Sequence, residues 1–199
     1  MVGHKLLRRL TSWLVRHSTV KEIVETVLFI VALYFLVVGV LILAFNTSSY
    51  WMGVVSNSMN HEEWVDWKLY FQDQSMRQFL LSQSNLEYIS EQDHLYDPDH
   101  FPIQGGFARG DLLVIRGVNS ISEISVGDVI IIERPNDIPL THRVFAAWEE
   151  NGKIRFTTKG DYNSYLLSDD MIVYPEQIIG KVVYVIPKLG NISVWFQGR

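Results

Sequence analysis

The sequence contains no cysteine. Disulfides, thiolate zinc sites and a cysteine nucleophile are excluded, and sortase-like chemistry with them. The formal net charge is −5 over 199 residues, and no continuous basic stripe of the nucleic-acid-binding kind is present. No internal repeat or low-complexity tract occurs. Two further absences are local. The stretch Val27–Phe45, VLFIVALYFLVVGVLILAF, runs for nineteen residues without a charge, and no lysine or arginine stands between Lys21 and Lys68.

A charge-free helix of that length covers about 28 Å at ~1.5 Å per residue, close to the ~30 Å of a bilayer's hydrocarbon core. Only a helix satisfies its backbone there within one segment. A membrane-spanning helix is expected, and a buried core helix is the alternative. The run is too long for a cleaved signal peptide, and it continues into Asn46-Thr47-Ser48-Ser49-Tyr50-Trp51, where Tyr50 and Trp51 suit an interfacial anchor. Lys5, Arg8, Arg9, Arg16 and Lys21 precede the segment, which puts the N-terminus in the cytoplasm and the rest on the exported side. Residues 5–21 fit an amphipathic helix on the inner leaflet or a basic tail that only sets topology; both readings stay open.

Three parts are expected: a basic N-terminus at 1–22, a signal anchor at 23–46, and an exported β-rich domain at 47–199 with an insertion at about 60–107. The insertion is acidic, and Trp64, Trp67, Phe71 and Leu80 suggest a helix from about Glu62 to Ser82. Its Asp93/His94/Asp97/Asp99/His100 cluster reads as a solvated acidic loop in preference to a metal site. From Arg109 onward the pattern is β. Asp111–Arg116, Asp128–Glu133, Thr141–Ala147, Lys153–Thr158 and Ile178–Ile186 are rich in β-branched residues. Gly110-Asp111, Gly127-Asp128, Pro135-Asn136-Asp137, Asn151-Gly152 and Gly160-Asp161 separate them as turns. Without long helical crossovers the sheet should be mainly antiparallel, as a sandwich or a partly open barrel.

Three stretches combine reactive side chains: Ser56-Asn57-Ser58-Met59, Thr141-His142-Arg143-Val144, and Thr158-Lys159-Gly160-Asp161 with Asp169-Asp170 beyond. A serine nucleophile needs a base, and a histidine base needs an orienting group. Read from residue types alone, such a set is far more often non-catalytic, with Ser58 a turn serine and His142 a half-buried strand histidine.

The order of motifs resembles the signal peptidase I family, in its archaeal and endoplasmic-reticulum branch. The series is a signal anchor, Ser-x-Ser-Met, x-Arg-Gly-Asp before a strand, a second Gly-Asp before a strand, His-Arg-Val, Thr-Lys-Gly-Asp and Asp-Asp. It covers roughly residues 23–59 and 107–190. The resemblance implies a membrane-bound serine endopeptidase that cleaves signal peptides after small residues. Ser58 would be the nucleophile, with Ser56 and the Ser58 N–H as the oxyanion hole. His142 would be the base, Asp170 the likeliest partner of His142, and Asp161 a second carboxylate needed for activity. No cofactor or metal is implied. The implied partners are signal peptides, the lipid bilayer and the secretion translocon, at the cell membrane or the endoplasmic reticulum membrane.

Three departures stand out. Met59 is followed by Asn60-His61 where the family has Met-x-Pro, about forty extra residues precede Arg109-Gly110-Asp111, and the step from Asp161 to Asp170 is longer than usual. Lys159 is a second candidate base, because bacterial members use lysine, although its ordinary pKa of ~10.4 must fall by about three units. A non-catalytic β domain serving as a binding or assembly subunit is the alternative function. After Val182–Gly190, which resembles the family's closing strand, too few residues remain for a second membrane helix. Asn46-Thr47-Ser48 and Asn191-Ile192-Ser193 match the N-glycosylation pattern.

Overall fold

Apolar continuity carries helix α1 from Ser18 to Phe45 in the computed structural model, which describes residues 18–62, 66–83, 95–135 and 137–191. The chain divides into two units, Met1–Ala44 and Phe45–Arg199. Helix α1 is long and apolar enough to cross a membrane, and none of its most apolar window is buried in the protein. The basic N-terminus up to residue 17 lies outside the described residues, as do Asp93 and His94.

The second unit is built on one six-stranded antiparallel sheet. Its strands are β1 Trp51–Gly53, β2 Leu112–Arg116, β3 Val129–Ile132, β4 Leu140–Glu150, β5 Lys153–Lys159 and β6 Ile178–Ile186. They lie side by side in the order β1-β2-β6-β3-β4-β5. All four residues of β3 are buried, so both sheet faces are covered there. The period of two then sorts them. Val129 and Ile131 pack with Val54, Met59, Leu113 and Ile115, while Ile130 and Ile132 pack with Val144, Phe156 and Val173. Asn151 and Gly152 both have positive φ (52° and 74°), the geometry that closes the tight β4–β5 hairpin.

The first two Gly-Asp motifs are turn devices. Gly110 and Gly127 have φ of 93° and 97°, a conformation only glycine adopts without strain. The following aspartates then accept backbone N–H groups three residues back, Asp111 from Ala108 at 2.9 Å and Asp128 from Ser125 at 3.0 Å. Asp111 also orders the serine segment, since Val54 N–H donates to its carbonyl at 2.9 Å.

Within the insertion, the single helix expected from about Glu62 to Ser82 is instead two among the described residues, α2 Leu69–Gln72 and α3 Gln74–Gln83, while Trp64 lies outside them. The break has a local cause. Asp73 is extended (φ −100°, ψ 116°), and its carboxylate accepts the Met76 N–H at 3.0 Å, which starts a new helix. Trp67, Tyr70, Phe71, Leu80 and Leu81 bury against Phe145 and Trp148 of β4. Each such side chain contributes about 1.5–3 kcal/mol when removed from water. Arg77 ties the same seam, donating to the Phe145 carbonyl at 2.7 Å. In the acidic loop His100 pairs with Asp97 at 2.8 Å and Lys68 with Asp99 at 2.6 Å. No metal-holding group of three or more His, Cys, Asp or Glu side chains occurs among the described residues.

Candidate active site

Alternation along β4 decides the layout. His142 pairs across the sheet with Ile130 and lies on the same face as Val144, while Arg143 faces the opposite side with Phe145. Neighbouring residues thus serve different clusters.

On the first face, His142 Nδ1 lies 2.6 Å from Asp170 Oδ1. Both residues are fully buried. The same oxygen accepts the Thr158 hydroxyl at 2.5 Å, and Oδ2 accepts the Leu167 N–H at 3.2 Å. Asp170 sits on the short helix α4, Ser168–Met171. Backbone hydrogen bonds of 3.1 and 2.8 Å between Phe156 and Val173 hold the chain beyond it to β5. The Asp170 carboxylate accepts, so Nδ1 donates to it, and Nε2 lies on the far side of the ring. Nε2 has no hydrogen-bond partner among the described residues.

Gly160 shows what Nε2 adjoins. A Cβ built there would fall 2.8 Å from His142 Nε2 and 2.9 Å from the Ser58 carbonyl oxygen. Imidazole and serine segment therefore crowd one point, and only glycine fits between them. Tyr162 N–H donates to that Ser58 oxygen at 2.9 Å, and Ser56 and Ser58 share a hydroxyl hydrogen bond of 3.3 Å. Beside Ser56 a cleft of about 400 Å³ runs between the β1 segment and the start of β4. Met52, Val54, Phe107, Leu113, Ile138 and Leu140 make it apolar. Arg134 braces one wall by donating to the Ile138 carbonyl at 2.8 Å and pairing with Asp169 at 3.2 Å. The two adjacent aspartates thus have separate jobs.

On the other face, Asp161 does not meet His142. Arg143 grips its carboxylate through Nε at 3.0 and 3.1 Å and Nη2 at 2.8 Å. His61 Nε2 adds a contact at 2.9 Å. Arg143 also donates to the carbonyls of Pro102, Gly127 and Ile103. Of the two aspartates, Asp170 is the partner of His142. Arg143 and His61 received no role from the sequence. An arginine beside His142 on a buried strand, with an aspartate left to neutralise, was the available signal for the first.

Lys159 is buried, with its ammonium 3.7 Å from the Tyr70 ring centroid and 3.0 Å from the Gly160 carbonyl. Burial draws its pKa down to about 8 against the opposing pull of Asp161 and Asp170. Its hydrogen bond goes to backbone, so Lys159→Met is expected to keep activity within about tenfold, far from the loss a missing base causes. Its folded value lies below the ordinary 10.5, so between those values the unfolded chain binds more protons and wild-type stability rises with pH. The rise is about 3 kcal/mol, and Lys159→Met should abolish it. Thermal unfolding of both proteins from pH 7 to 10 reads the difference.

No protein-family model matches the chain. Curated proteins do. Signal peptidase complex catalytic subunit SEC11 of Colletotrichum graminicola is 34% identical over 99 residues, which is 46% of this chain and 57% of that protein. The SEC11 subunits of Pyricularia oryzae and Sclerotinia sclerotiorum are 32% and 33% identical over 101 residues, with the same coverage. Over a little under half of its length this chain is thus similar to catalytic subunits of the signal peptidase complex. The matches span a little over half the length of these signal peptidase subunits.

Proposed function

We propose that this chain is a membrane-anchored serine endopeptidase that removes signal peptides from exported preproteins. The buried His142–Asp170 pair, with its free Nε2 turned toward the Ser58 segment, carries the reading. In the reaction His142 Nε2 takes the Ser58 hydroxyl proton as Oγ attacks the scissile carbonyl. Asp170 holds the ring's tautomer and stabilises the imidazolium. The Ser58 N–H and the Ser56 hydroxyl stabilise the oxyanion. The imidazolium then protonates the leaving amine, and water releases the acyl group from Ser58 by the same steps in reverse.

The substrate would run as an added strand along the cleft between β1 and β4, which suits β1 as an outer strand of the sheet. The modest apolar cleft supports small side chains before the cut. The positive residues ahead of α1 support a cytoplasmic N-terminus and an exported site, in the endoplasmic reticulum membrane by analogy with SEC11. Signal peptides, the bilayer, the secretion translocon and further subunits of a complex are the partners this implies.

Ser56→Ala is expected to lower kcat about 10²- to 10³-fold, the loss typical of one oxyanion donor, with little change in KM. Steady-state kinetics on a preprotein checks it. A serine-directed covalent probe tests the reading itself. Labelling of Ser58, lost in His142→Ala, supports it. Folded wild-type protein that does not label favours a binding subunit.

A further inference from the structure

We propose that His61 is a positioning residue of the active site, supplied by the insertion and acting through Asp161. The inference rests on the signal peptidase reading. His61 stands where the family's Met-x-Pro would have proline, and its ring joins the nucleophile's segment to the turn beside the base. Nε2 lies 2.9 Å from Asp161 Oδ2, and Nδ1 lies 3.0 Å from the Gln104 carbonyl. Both nitrogens face oxygen acceptors, so the ring bridges the Gln104 backbone and the Asp161 carboxylate. The ring stacks on Trp67 with centroids 5.2 Å apart, and the Arg143 guanidinium lies 4.3 Å from the Trp67 centroid. Gly106, at φ 60°, gives the ring room, since a Cβ there would fall 2.7 Å from His61 Cδ2.

Position gives this contact its consequence. Ser58 and His61 are three residues apart, and both reach the same turn, 160–163. Ser58 does so through its carbonyl and the Tyr162 N–H at 2.9 Å. His61 does so through Asp161. Gly160 in that turn packs against His142 Nε2. The segment bearing the nucleophile is therefore pinned to the turn at both ends, and losing His61 releases one. A misplacement of about 1 Å in such a site costs on the order of 100-fold in rate.

The test compares His61→Ala, His61→Gln and His61→Phe for kcat and KM on a preprotein, for the rate of Ser58 labelling by a serine-directed probe, and for melting temperature. Gln keeps a donor toward Asp161 without the ring; Phe keeps the stack without donors. Ala and Phe are expected to lower kcat and the labelling rate roughly 10- to 100-fold with KM nearly unchanged, and Gln to recover most of the loss. Wild-type kcat in Ala or Phe, a loss confined to KM, or a loss in Gln equal to that in Ala overturns the proposal while the peptidase reading stands. Wild-type protein that neither cleaves nor labels removes the peptidase reading, and the positioning role falls with it.

Discussion

His142→Ala is expected to lower kcat/KM for preprotein cleavage by roughly 10⁴- to 10⁶-fold, the scale on which serine proteases lose a base. The magnitude follows from the site. In the proposed mechanism Ser58 relies on His142 as its base, and Asp170 serves through that ring. Asp170→Asn should therefore lose about 10⁴-fold. It keeps the shape but replaces an acceptor of the His142, Thr158 and Leu167 hydrogen bonds with an amide that can present its donor to Nδ1. The ring then takes the wrong tautomer, with its proton on Nε2. Kinetics with a melting curve for each variant checks this. Loss of activity in a protein that melts like wild type is the expected result. His142→Ala activity within tenfold of wild type would move the base elsewhere.

Arg143→Met is expected to destabilise the fold by about 3–5 kcal/mol at neutral pH, the cost of leaving a buried charge unpaired. Asp161 is only 3% exposed. Burial alone would push its carboxyl up; the Arg143 charge and the hydrogen bonds from His61 and Arg143 outweigh this and hold it below the usual carboxylate range. The stabilisation from a depressed carboxylate is present above its unfolded pKa of ~3.9 and is lost as pH falls through the folded value. Wild type should lose this contribution only below about pH 4. In Arg143→Met, Asp161 protonates more readily, so the gap to wild type narrows on acidification. Arg143→Lys should rescue poorly, because a point charge cannot span Asp161 and three backbone carbonyls. Arg143→Met with Asp161→Asn should lose less than the two single losses added together. Denaturant unfolding at pH 4 and pH 7 of wild type, Arg143→Met, Arg143→Lys, Asp161→Asn and the double variant measures this. A loss under about 1 kcal/mol for Arg143→Met would show the pair is not what holds the turn.

The strands were legible because β-branched runs between turn residues leave few alternatives, and Ile178–Ile186 has the same bounds in sequence and structure. Less was legible wherever side chains from distant segments meet. His142-Arg143 reads as one motif, yet alternation on β4 sends the two to opposite faces. Sequence could not choose between Asp161 and Asp170, because α4 and the Phe156–Val173 pairing decide which carboxylate reaches His142. His61 was hidden for a similar reason. It takes its meaning from a contact one hundred residues away. Asp73, read as part of a continuous helix, proved to cap a new one, since its side chain satisfies the next segment's N–H group.

The most direct test is cleavage of a preprotein by the membrane-embedded protein, with wild type, Ser58→Ala and His142→Ala compared and the product's N-terminus sequenced. The expected result is one cut after a small residue in wild type and none in either variant. Cleavage at that site by Ser58→Ala would contradict the account, because no acyl-enzyme could then form on the residue that the site is built around.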